Sequence, residues 1–119
     1  MDRYIGRGEK LTKARKYSDD DRLSIAATLM VDIFDEYRRA ISKFPDFNSA
    51  HEGYAVLLEE VDELWDEIKN NKKPGAYERM RVEATQVGAM ALRFLVMLEE
   101  MKNVDGTKSE EISEDRNNE

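Results

Sequence analysis

The chain has 119 residues, 40% of them hydrophobic and 38% charged, with no cysteine and a formal charge of −7. That length holds one small globular domain. The missing cysteines remove disulfides, thiolate metal sites and cysteine nucleophiles, and the acidic balance excludes nucleic acid as the main partner, because phosphate binding needs a basic surface.

The first seventeen residues are basic (Arg3, Arg7, Lys10, Lys13, Arg15 and Lys16 against Asp2 and Glu9) and lack helical apolar periodicity. Residues 1–17 therefore read as a basic tail. They show no basic start followed by an apolar stretch, so nothing marks secretion and the expected location is cytoplasmic. Ser18-Asp19-Asp20-Asp21 then offers a helix cap with acids at the positive end of the dipole. Leu23, Ala26, Met30, Ile33, Phe34, Tyr37 and Ile41 follow at spacings of three and four, which predicts a first helix ending before Pro45. PDFNSAHEG reads as a loop with Asn48 or Ser49 as the next cap.

A second helix places Tyr54, Leu57, Leu58, Val61, Leu64, Trp65 and Ile68 on one face and stops at NNKKPG, where Pro74 and Gly75 break the pattern. A third runs from about Ala76 to Lys102. Its apolar run, 87–98, contains Arg93 and is too short to span a bilayer, so no membrane partner is expected. Residues 103–119 carry Lys108 and Arg116 against many acids and read as an acidic tail. No useful period-two alternation occurs, so the expected fold is all-α: an antiparallel bundle of three main helices over residues 18–102.

The carboxylates of LLEEVDELWDEI need an explanation. On a helix with 100° per residue, Glu60 lies about 100° from an apolar stripe centred on Val61 and Glu63 about 160° on the same side, and the two are i, i+3 neighbours. Glu59, Asp62 and Asp66 fall on the other flank or the back. In the third helix Glu83 lies only about 40° from the centre of the stripe at Val87, inside it. A carboxylate there is costly to bury unless it is paired or bound to metal. One account is a salt bridge from Glu83 to Arg79, Arg93 or a lysine. The other joins it to Glu60 and Glu63 in an all-oxygen cluster suited to Mg²⁺ or Mn²⁺. The single histidine, His51, sits at a helix start and suits a local structural role better than a ligand one.

EExxE on one helix, then a Glu on the next after nineteen residues, resembles the MazG-like all-α nucleoside triphosphate pyrophosphohydrolases. Here the pattern reads Glu59-Glu60-x-x-Glu63 and Glu83-Ala84-Thr85-Gln86, within SAHEGYAVLLEEVDELWDEI and EATQVGAMALRFL. The resemblance covers about residues 20–100. It implies Mg²⁺, or Mn²⁺, on Glu60, Glu63, Glu83 and Gln86, with Glu59 orienting a ligand or the attacking water. Gln86 stands where that family usually has Asp; its amide oxygen can bind a hard cation but brings no charge. The function implied is cleavage of a (deoxy)nucleoside triphosphate to the monophosphate and pyrophosphate. The alternative is a non-catalytic nucleotide-binding or assembly module that keeps the fold. Val87 to Leu98 is apolar almost all round, with Ala89, Leu92, Leu95 and Val96 outside the stripe that holds Glu83, so a second copy is expected to cover it. The resemblance likewise implies a homodimer or homotetramer.

Overall fold

A computed structural model describes residues 16–117, and no strand occurs among them: α1 is Asp19–Lys43, α2 is Ala50–Lys69 and α3 is Ala76–Asn117. Most of the basic segment, residues 1–15, lies outside the described residues. The chain divides into two compact units after Val31. In the first, Ser18 caps α1 reciprocally: its Oγ accepts from the Asp21 N–H at 3.1 Å, and its own N–H donates to Asp21 Oδ2 at 3.2 Å.

The second unit begins at Asp32, within α1. The Phe44 N–H reaches the Ala40 carbonyl at 2.9 Å to close the last turn, and Pro45 cannot continue it. Ser49 is the next cap. Its backbone is extended (φ −161°, ψ 166°), and its Oγ accepts from the Glu52 N–H at 3.1 Å. The Glu52 carboxylate reaches back to the Asn48 N–H at 2.8 Å and to its amide at 3.2 Å. This capping pair starts α2 at Ala50, so Ala50–Gly53 are helical and not part of the expected loop. Between α2 and α3, Gly75 takes φ +78°, a value side chains with a Cβ rarely adopt. Arg79 ties this turn to the end of α2, donating from Nε to Glu67 Oε1 at 2.8 Å and from Nη1 to the Pro74 carbonyl at 2.7 Å.

Ala40, Ala89 and Met90 form the core, with Tyr37, Phe47, Val56 and Leu57 packed against them. Small residues set its geometry. Gly53 of α2 lies under Phe94 of α3, and Gly88 of α3 lies under Ile33 of α1. Ala89, placed by its helical angle outside the stripe, is 0% exposed; α3 is covered on two sides, by α2 and by Ala40 and Ile33 of α1. Arg93 is 7% exposed and fastens the α1–α2 connection to α3. Its guanidinium carbon lies 4.2 Å from the Phe47 ring centroid, and Nη2 donates to the Pro45 carbonyl at 2.8 Å.

The α2 face is buried in part: Leu57, Leu64 and Ile68 are half-buried, whereas Tyr54, Leu58, Val61 and Trp65 stay exposed. Leu23, Met30, Phe34 and Ile41 of α1 are exposed as well. α3 continues to Asn117, past the end expected near Lys102 and through most of the acidic segment. Extending an established helix adds one hydrogen bond per residue fixed, and Glu and Lys are good helix formers. No helix among the described residues is long and apolar enough to cross a membrane.

Gly53→Ala tests this packing. A Cβ at residue 53 would lie 2.8 Å from Phe94 Cδ1 and 3.0 Å from Phe47 Cδ2. The intrinsic helix gain of about 1 kcal/mol is outweighed by overpacking at about 1–3 kcal/mol. The variant is expected to unfold at lower urea than wild type; a higher midpoint would contradict the close approach of α2 and α3.

Candidate metal centre

Two adjacent turns of α2 and one of α3 bring Glu60, Glu63 and Glu83 together. One carboxylate oxygen from each lies within 4.8 Å of the others. Octahedral Mg²⁺ with oxygens at about 2.1 Å sets its ligands roughly 3–4 Å apart, so a small contraction fits the trio to one ion. Burial raises the Glu60 carboxyl to about 7, helped by the charge of Glu63, a hydrogen bond with it, and the charges of Glu83 and Glu59. Glu83 is also raised, first by burial, then by the charge of Glu63, a hydrogen bond with it, and the charge of Glu67.

Glu83 Oε2 is buried and has no hydrogen-bond partner. The two arginines named for it from sequence are engaged elsewhere, while Lys43 of α1 lines the same cavity. Arg79 binds Glu67 and the Pro74 carbonyl, and Arg93 binds the Pro45 carbonyl and Phe47. A buried carboxylate oxygen without a partner costs on the order of 1–3 kcal/mol or more, and a cation among these three side chains would remove that cost. The donor set, hard carboxylate oxygens with no nitrogen or sulfur, fits Mg²⁺ or Mn²⁺.

The trio lines a cavity of about 340 Å³ with Gln86 of α3 and Glu36, Arg39 and Lys43 of α1. Gln86 shares the wall, but its amide Nε2 donates to Glu36 Oε2 at 2.8 Å. Glu36 Oε1 accepts from Arg39 Nη1 at 2.7 Å. Glu59 is exposed and stands outside the trio; it lines a neighbouring cavity of about 400 Å³ with Phe44, Phe47, Val56 and Met90. Glu60 and Gln86 line both cavities. Asp66 is exposed and paired with Lys69 at 3.2 Å, and His51 is exposed on the first turn of α2.

The sequence pattern did not mark Glu36, Arg39 and Lys43. Their spacing puts them on one side of α1, but the side that meets α3 is marked by the small Ala40, while the large Phe34 and Ile41 that define the apolar stripe are exposed. Comparison with protein-family models, with curated proteins and with solved structures finds no match.

The raised carboxyls fix the sign of a pH dependence. At a pH well below 4.5, folded and unfolded chains both hold these protons and no penalty exists. As pH rises from 4.5 toward 7, the unfolded chain ionises while Glu60 in the folded chain resists, so stability falls. In metal-free buffer the difference in melting temperature between Glu60→Gln and wild type should therefore move in favour of Glu60→Gln across this range. A difference that does not change with pH would contradict the burial of an uncompensated carboxylate.

Proposed function

We propose that the chain is a Mg²⁺-dependent nucleoside triphosphate pyrophosphohydrolase, cleaving a (deoxy)nucleoside triphosphate to the monophosphate and pyrophosphate. One observation carries the reading: a buried, unpartnered carboxylate oxygen of Glu83 within a trio of acids contributed by two helices. The EExxE pattern and its spacing to Glu83 support the same assignment. Glu60, Glu63 and Glu83 hold the ion, and Gln86 adds a neutral oxygen. Bound Mg²⁺ supplies charge neutralisation for the phosphates and acidifies water.

The chain's own residues do the rest. The two cavities share Glu60 and Gln86, so one ligand can extend from one to the other. The larger, with Phe44, Phe47, Val56 and Met90 among its walls, suits a base and sugar. The acid-lined one receives the phosphates, with Arg39 and Lys43 at its edge. Glu59, on the wall of the larger cavity, orients the water that attacks the α-phosphorus; the bridging bond to the β-phosphate breaks and pyrophosphate leaves. The second reading is a non-catalytic nucleotide-binding module, and the engagement of the Gln86 amide by Glu36 is the observation in its favour.

The proposed assembly is an antiparallel helical bundle completed by a second copy, as homodimer or homotetramer. Phe34 at 52%, Trp65 at 53% and Leu95 at 57% exposure leave apolar area on all three helices for a partner to cover. Light scattering at micromolar concentration should report at least a dimer, weakened by Leu95→Glu; a compact wild-type monomer would contradict this.

Activity is tested by pyrophosphate release from common and deoxy triphosphates with Mg²⁺ or Mn²⁺. Glu60→Gln, Glu63→Gln and Glu83→Gln should each lower turnover by about a hundredfold or more, as expected for loss of a charged ligand, whereas Asp66→Asn should be nearly silent. No turnover with any nucleotide, together with retained nucleotide binding, would select the non-catalytic module.

A further inference from the structure

Gln86 is the one of the four candidate ligands that is not a carboxylate, and its neighbour explains the departure. Glu36 lies across the same cavity on α1, with its side chain 14% exposed. A carboxylate only accepts hydrogen bonds, so the Gln86 amide must present its NH₂ there, as the 2.8 Å contact from Nε2 to Glu36 Oε2 records. That choice fixes the other branch of the amide: the carbonyl oxygen Oε1 is the atom not turned to Glu36. An Asp at residue 86 would instead set two carboxylates against each other.

Glu36 is held in turn. Arg39 donates to its second oxygen at 2.7 Å, so each carboxylate oxygen has a donor of its own. We propose that Glu36 is the positioning residue of the cation site: by taking the Gln86 NH₂ it presents the Gln86 carbonyl oxygen to the ion held by Glu60, Glu63 and Glu83. This rests on the metal reading above. The pairing joins residues fifty positions apart, on α1 and α3, and so couples the orientation of the ligand to the packing of those helices.

The role is carried by a hydrogen-bond acceptor and not by charge, which makes it separable. Glu36→Met keeps the side-chain length and removes the acceptor. Glu36→Gln removes the charge and keeps a carbonyl to accept the amide. Isothermal titration of Mn²⁺ into the full-length chain reads the difference without turnover, with helical circular dichroism as the check on folding. Glu36→Met should weaken Mn²⁺ binding about tenfold or more, the usual cost of losing a group that orients a ligand. Glu36→Gln should stay close to wild type. Gln86→Leu should weaken binding to a similar extent as Glu36→Met, and Glu36→Met combined with Gln86→Leu should be no weaker than Gln86→Leu alone. Wild-type affinity in Glu36→Met overturns the proposal, as does a loss in Glu36→Gln as large as that in Glu36→Met. Absence of Mn²⁺ binding in the wild-type chain overturns the metal reading itself, and this assignment with it.

Discussion

A carboxylate placed on the packing face of a helix sets the terms for the second unit of this molecule. Glu83 sits two turns before Met90 on the half-buried side of α3, and its Oε2 has lost water without gaining a donor. Burial of this kind persists only where the surrounding packing holds it. Here the packing consists of close contacts through small residues: Gly53 beneath Phe94, Gly88 beneath Ile33, and Ala40 against Ala89. Helices that approach so closely bring Glu60 and Glu63 against Glu83. The burial that raises the Glu60 and Glu83 carboxyls, and the repulsion that adds to it, therefore follow from the same packing of α2 against α3.

Positive charge is distributed to match. Arg79 and Arg93 lie on the same helix as Glu83, yet both are committed to fastening the connections at either end of α2. Arg93 in particular is buried over Phe47, where its guanidinium closes the core and satisfies the Pro45 carbonyl. Had either reached Glu83, the carboxylate would have an ion-pair partner within the chain that favours its charged form. With both engaged, the chain's own positive charge at the cavity comes from Arg39 and Lys43 of α1, and the rest falls to protons or to a cation from solution.

Much of this was legible in the sequence, and the limits have physical causes. The Ser18 cap, the stop at Pro45, the break at Pro74-Gly75 and the start of α3 at Ala76 follow from local chemistry, which acts over a few residues and survives without knowledge of the fold. Glu83 could be placed inward because periodicity alone fixes its angle to Val87. Ala89 lies outside that stripe by the same angle, and its apolar surroundings marked it for cover; the angle could not tell that Ala40 of the same chain, and not a second copy, packs there. The end of α3 was missed for a related reason. Apolar spacing reports burial, and a helix can outrun its buried face.

The contribution of α1 to the site was the least legible part. Large apolar residues dominate any periodicity score, yet on α1 Phe34 and Ile41 face outward while the contact with α3 is made by Ala40 and Ile33. A helix that docks through alanine brings its flanking polar residues close to its neighbour, because a short side chain holds the backbones near each other. Glu36 and Lys43 flank Ala40 by one turn on either side, and Arg39 precedes it, so the residues that make α1 weakly amphipathic by composition are the ones it delivers to the cavity. The same close approach lets Glu36 reach Gln86. Replacing Ala40 by a larger side chain would push α1 outward and separate that pair even if the fold survived, so the smallest residue on the helix governs the polar geometry around the acids.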